Sequence, residues 1–218
     1  MTECKCFGTT HVDYPRKVTD ELREFADDAD ILFIESPRGD DYEYEMIVRN
    51  PALYITGVTL ECIWAMLGFI LTWQFTTVDT AVTKKVAQEN NLDIEPVDMN
   101  IPRKMSEVSP IVTVVSWLWT GVVAFVFVLS VWYTSIVVLG YAVLFALLPT
   151  LPFSQLTLSE RDKVMAENIE EILSTDDKIK KGCFVAGRDH IDGVEKQLEE
   201  SSVQVTQTFK SKWLRHSL

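Results

Sequence analysis

Between Val108 and Ser159 the chain runs for 52 residues without an Asp, Glu, Lys, Arg or His, and no other stretch restricts its fold as tightly. From Ile111 to Leu151 it is almost wholly apolar. About 20 apolar residues carry a helix across a hydrocarbon layer of roughly 30 Å at about 1.5 Å per residue, so this stretch holds enough for two crossings. The reading is a transmembrane helical hairpin over residues 111–151, turning near 130–135 with Trp132 and Tyr133 as interfacial rings. A helical pair buried in a soluble core is the competing reading. In a chain this small, one face of such a pair would meet water and show polar residues at a period near 3.6, and no such face is present. The Ser and Thr hydroxyls of the stretch can bond back to their own helix carbonyls. Its many β-branched residues favour strands in water, but in lipid every backbone amide must be satisfied within the segment, which favours helix.

The 218 residues include 32 acidic and 20 basic side chains, a formal charge of −12. That balance argues against nucleic acid as a partner, because phosphates need Lys and Arg to neutralise them, and it fits a solvated acidic surface suited to high salt. With about 40 residues in the hairpin, roughly 175 remain for structure in water, the size of one compact domain. Cys4, Cys6, Cys62 and Cys183 lack zinc-site spacing and read as core or strand thiols. The opening MTECKCFGTTH has no basic-then-apolar region, so no cleaved secretion signal is expected.

Outside the hairpin, short apolar runs alternate with amphipathic ones, the pattern of a mixed α/β (α+β) domain. Lys5 to Phe7 reads as a strand followed by a loop at Thr9, Thr10 and His11, and a helix starts at Pro15 with Val18, Leu22, Phe25 and Ala26 on its apolar face. ILFIE is a buried strand ending in Glu35, at the edge where α/β units collect their active sites. Residues 53–78 form a second hydrophobic block interrupted by Glu61 and Gln74, and a carboxylate in mid-membrane is costly. This block therefore reads as a membrane-facing or core helix. A helix over 79–90 and the strand LDIEPVDM follow. After the hairpin, LTLSERDKVMAENIEEIL predicts a helix with Ser159 as N-cap and Val164, Met165, Ile169 and Leu173 as packing positions. GCFVAG is a strand, RDHIDGVEKQLEE a helix and SVQVTQTF an edge-strand candidate before a basic tail, in which His216 reads as solvated. The chain thus divides into residues 1–110 and 152–200 as two parts of one domain, 111–151 as the hairpin, and 201–218 as edge strand and tail.

Two histidines have matching contexts: Gly8-Thr9-Thr10-His11 and Gly187-Arg188-Asp189-His190, each a Gly-x-x-His between a strand and a helix. The glycine would let the chain turn sharply, and the histidine would sit at the ligand-binding edge of a parallel sheet. With Glu35, two imidazoles and a carboxylate make a divalent-metal set in which a bound water, its pKa lowered, is the nucleophile. Ordinary hydrogen-bonded loop histidines are the other reading of the same spacing.

The segments FGTTHVD, IES, VDMNIPRKM, ERDKVMAENI and GRDHIDGVEKQL, in that order across nearly the whole chain, resemble the TraB/PrgY pheromone-shutdown family, related to Tiki metalloproteases and GumN-like proteins. The closest kind is a membrane-anchored archaeal member of haloarchaeal type. The resemblance implies a sheet-and-helix domain, here interrupted by the hairpin, with His11, His190, Glu35 and Arg161 in a common site. His11, Glu35 and His190 would hold a divalent metal (Mn, Co or Zn). Glu35 and Arg161 would be catalytic, Arg161 holding a substrate carboxylate or a developing oxyanion. Asp13, Asp98 and Asp189 would support them from behind. The implied function is a metal-dependent hydrolase, most simply a peptidase on small peptides; the alternative is a non-catalytic peptide-binding or sequestering membrane protein. The strand that is usually similar to IDRDI in the family reads VDMNI here, which keeps Asp98 but not the other charged positions.

For His11 and His190 to meet, the chain must cross the membrane an even number of times between them. Arg103, Lys104, Arg161 and Lys163 flank the hairpin, which by the positive-inside bias puts the α/β domain in the cytoplasm of an integral membrane protein. Lipid and a peptide are the expected partners, and a homo-oligomer is compatible with this reading.

Overall fold

The computed structural model describes residues 2–10, 14–38, 43–72, 78–176 and 178–211. They form two compact units: a sheet unit of Met1–Arg38, Trp64–Met99 and Leu158–Leu218, and a helical unit of Gly39–Ile63 and Asn100–Thr157.

In the sheet unit five strands, β1 (Thr2–Thr9), β2 (Ile31–Pro37), β3 (Asp93–Asp98), β4 (Lys181–Gly187) and β5 (Val203–Lys210), lie in the order β3-β2-β4-β1-β5. All neighbours are parallel. Parallel strands need crossover connections that cover both faces, and the sequence supplies apolar side chains to both. Cys4, Cys6, Ile31, Phe33, Phe184 and Ala186 point to one face, where they pack with Met165, Ile169 and Leu173 of α8 (Thr150–Thr175) and Ile191, Val194 and Leu198 of α9 (Arg188–Glu199). Phe7, Leu32, Cys183 and Val185 point to the other, against Val18, Leu22 and Phe25 of α1 (Pro15–Phe25) and Val82 and Val86 of α4 (Val78–Asn90). This is a mixed α/β fold with helices on both faces, not the segregated layers of an α+β domain. The three core cysteines are buried free thiols, and Cys62 is exposed. As expected, the last strand is at the sheet edge.

The helical unit contains α2 (Glu43–Arg49), the first part of α3 (Pro51–Thr72), α5 (Ile101–Ser106), α6 (Pro110–Trp132), α7 (Ile136–Leu147) and the first residues of α8. Ser109 caps α6 by accepting from Val112 N, with Pro110 in the first turn, and Ser135 caps α7 by accepting from Val138 N. The turn between them falls at Tyr133–Ser135, inside the expected 130–135, with Thr134 in the left-handed region at φ 47°. Ser116, Val123 and Ser130, the buried residues of α6, recur every seven residues, and α7 buries Ala142 and Ala146. Much of the remaining apolar surface is exposed, Trp132 by 79% and Ile136 by 83%. Among the described residues only α6 is long and apolar enough to cross a membrane; α7 has 12 residues. The hairpin of two full-length spans is therefore reduced here to one full-length helix and a shorter partner.

A buried polar joint holds this unit together. Ser116 Oγ donates to Asn50 Oδ1 and accepts from Ala52 N, both at 2.9 Å, and Thr56 Oγ1 donates to Ala146 O at 2.6 Å.

The start of α8 differs from expectation. Ser159 is not an N-cap, because α8 starts at Thr150 and runs unbroken through it. Pro152 is in the first turn, where a missing N–H is no loss, and nothing after it competes with the helix.

Candidate functional site

Alternation along β2 places Glu35 on the same sheet face as Ile31 and Phe33, the face covered by α8 and α9. Asp98 ends the neighbouring strand β3, and its own carboxylate accepts from Met99 N at 2.7 Å. Arg161 of α8 spans the two: its Nη2 donates to Glu35 Oε1 at 2.7 Å and to Asp98 Oδ2 at 2.5 Å, and its Nε to Asp98 Oδ1 at 3.2 Å. Asp98 is 2% exposed, so this fork neutralises a charge that water cannot reach. Beside it, Arg38 bonds Asn168 and Glu171 of α8, and Asn168 Nδ2 donates to Val97 O, fastening the end of β3 to the helix.

His190 lies in the first turn of α9, not in a loop. Its Nδ1 donates to Asp162 Oδ1 at 2.6 Å, and its Nε2 is 3.3 Å from Glu35 Oε1. Glu35 Oε2 accepts from Gly187 N at 2.8 Å, at the positive end of α9. Three carboxylates and two cationic side chains thus form one buried cluster at the carboxyl edge of the sheet. Burial opposes the imidazolium, but hydrogen bonds to Asp162 and Glu35 outweigh it and push His190 from 6.5 up to about 9. Burial likewise opposes the Glu35 carboxylate, and the hydrogen bond and charge of His190, with Arg161, hold it down at about 2. Arg161 is raised against its own burial by Asp98 and Glu35.

Of the glycines of the two Gly-x-x-His motifs, Gly187 sits at a corner between strand and helix, as expected, and Gly8 does not. Gly8 is inside β1, where a Cβ would stand 2.8 Å from Ile191 Cγ1 and 3.1 Å from the Arg188 Cα, so it admits the first turn of α9 against the strand. Gly187 is the N-cap of α9 at φ −55°. The strands carrying both motifs are neighbours, with Gly8 opposite Ala186 and Thr9 opposite Gly187. His11 and Asp13, expected in the site, and His216 lie outside the described residues.

Of the remaining expected residues, Glu35, Asp98, Arg161 and His190 come together. Asp189 does not: it is exposed, and Asp162 takes the supporting role foreseen for it. Asp162 lies outside both Gly-x-x-His motifs and away from the strand ends. The better signal is its spacing of three, four and seven residues from the buried Met165, Ala166 and Ile169, which puts a carboxylate on the apolar stripe of α8. Gly193 was missed as well. A Cβ there would fall 1.9 Å from Asp162 Oδ2, so only glycine lets that carboxylate reach His190.

Among the described residues no group of three His, Cys, Asp or Glu is placed to hold a metal. Two donors expected of such a site, His190 Nε2 and Glu35 Oε1, do lie side by side, and the Nδ1–carboxylate bond behind the histidine is the usual support of a metal-ligating imidazole. No family model, curated protein or solved structure matches the chain.

Proposed function

We propose that the chain is a membrane-anchored, TraB/PrgY-like protein whose cytoplasmic α/β domain is a metal-dependent hydrolase acting on small peptides. The observation that carries this reading is the Asp162–His190–Glu35 alignment, in which one carboxylate fixes the imidazole from behind while its free edge faces another carboxylate. A divalent ion (Mn, Co or Zn) held by His190 and Glu35, with His11 completing the set, would supply Lewis acidity and lower the pKa of water. Asp162 keeps the proton on Nδ1 and directs Nε2 toward Glu35, and Gly193 leaves room for it. Arg161 holds Glu35 and Asp98 in place and offsets their charge. Loading an imidazole of pKa about 9 requires displacing its proton, which at pH 7 weakens binding by about 100-fold relative to a neutral ring.

Membrane anchoring is supported by the bare apolar surface of α6 and α7 and by the charge-free run from Ile136 into the first turns of α8, which brings the short helix to a length that can complete a return crossing. Two crossings between β3 and β4 keep the sheet on one face.

The test is equilibrium binding of Mn²⁺, Co²⁺ and Zn²⁺ to purified protein and to His190→Ala and Glu35→Gln, with peptide hydrolysis followed in parallel. One ion per chain, lost in both variants, is expected. Retention unchanged in His190→Ala sinks the metal mechanism. A second reading, peptide binding without cleavage, is favoured by the Nε and Nη2 edge of Arg161, which is taken up by the protein's own carboxylates and is not turned toward a reacting group. It predicts saturable peptide binding and no product.

A further inference from the structure

We infer that Arg188 receives the C-terminal carboxylate of the peptide, which makes short peptides with a free C-terminus the substrate class. This rests on the hydrolase reading above.

The cation first expected to hold a substrate carboxylate is spent inside the protein, since Nε and Nη2 of Arg161 donate to Glu35 and Asp98. Arg188, the first residue of α9, is exposed and among the described residues has no hydrogen-bond or ion-pair partner. Its position works against the helix. The first-turn amides carry partial positive charge, so a cation there is repelled, and nothing among the described residues offsets it. A carboxylate held at Arg188 reverses the sign of that interaction, and a planar guanidinium matches a carboxylate with two parallel N–H donors.

Arg188 stands beside the His190–Glu35 pair but not in it. A Cβ on Gly8 would be 3.1 Å from the Arg188 Cα and 3.3 Å from its Cβ, so Arg188 begins over the carboxyl end of β1. Glu35 is on β2, with β4 between the two strands. Adjacent strands lie about 4.8 Å apart, which separates Glu35 from Arg188 by about 10 Å along the sheet edge. Each residue of extended peptide covers about 3.5 Å of that, and the reach of the arginine side chain covers the remainder. With a scissile carbonyl at the pair, one or two further residues therefore bring the terminal carboxylate to the guanidinium.

Thr10 supplies an independent observation. It follows β1 by one residue, and continuing the alternation of the strand puts it on the face of Gly8, the face over which Arg188 begins. Its Oγ1 is buried and, among the described residues, without a hydrogen-bond partner. A buried hydroxyl left unpaired is destabilising, and an oxygen acceptor bound at this place satisfies it. An arginine fork and a hydroxyl thus meet at the carboxyl end of β1, both lacking an acceptor among the described residues.

The test uses the full-length protein in detergent with Mn²⁺ and two matched tetrapeptide libraries, one ending in the free acid and the other in the amide. Peptide retention and cleavage are followed by mass spectrometry, and bound metal is measured alongside. Wild type is expected to retain acids over amides by about 10- to 100-fold. Arg188→Gln should lose that preference with bound metal and Tm unchanged, and Arg188→Lys should keep part of it. Arg16→Gln, which removes another exposed arginine, in the first turn of α1, should leave the preference intact. Equal retention of acids and amides, or a preference that survives Arg188→Gln, would overturn the inference while bound metal still supports the hydrolase. Amides retained only where they carry Asp or Glu would assign the site to a side-chain carboxylate and overturn the C-terminal assignment. Retention of no peptide at all removes the inference, and if no metal is bound either, the hydrolase goes with it.

Discussion

Arg161 acts on the cluster mainly through what its removal would leave behind. Glu35 and Asp98 approach one guanidinium from neighbouring strands, and without it two buried carboxylates face each other with His190 as the remaining cation. Losing one partner of a buried pair costs about 3–5 kcal/mol, far more than the pair contributes over a well-packed apolar substitute. Arg161→Met is therefore expected to lose about that much stability in thermal unfolding of the detergent-solubilised protein. Arg161→Lys should recover only part, since an ammonium cannot reproduce the fork. A loss below about 0.5 kcal/mol for the Met variant would mean that the fork is not formed in solution.

Among the elements, α8 begins in the helical unit and carries two site residues in the sheet unit. Its first residues extend the charge-free run, and eleven and twelve positions along come Arg161 and Asp162. Because the helix is continuous, the orientation of both side chains is set by the phase of a helix that starts at Thr150 and not by a local cap at Ser159. This has a simple consequence. Ser159→Ala should change stability by less than about 0.5 kcal/mol, as for an exposed helix-interior position, whereas loss of a working N-cap costs about 1 kcal/mol. A cost near the second figure would place the start of the helix back at Ser159.

For the whole molecule the cluster sets a pH window. His190 has its folded pKa raised from 6.5 to about 9, so its contribution is complete below about 6.5 and lost as pH rises through about 9. Glu35 has its folded pKa lowered from 4.5 to about 2, so its contribution is complete above about 4.5 and lost as pH falls through about 2. The stability of the sheet unit should be greatest between about 4.5 and 6.5 and fall by a few kcal/mol on each side. In His190→Gln the alkaline limb should disappear while the acid limb weakens, and an unchanged alkaline limb in that variant would assign the titration to another group.

What the sequence alone determined was periodicity and charge. The continuous apolar runs ILFIE and GCFVAG, the 3.6-residue spacing of Val18, Leu22 and Phe25, and the charge-free 52 residues depend on neighbours along the chain, so strands, helices and an apolar insert were legible. Glu35 and His190 were legible from a strand end and a Gly-x-x-His spacing, Asp98 and Arg161 as site residues only through the family resemblance, and three of these four lie at or just beyond the ends of strands. Spacing does not record which strands adjoin. Only the tertiary structure put β2 between β3 and β4, which brings Arg161 to two carboxylates at once and lets Asp162, on the buried stripe of α8, reach His190 past the missing side chain of Gly193.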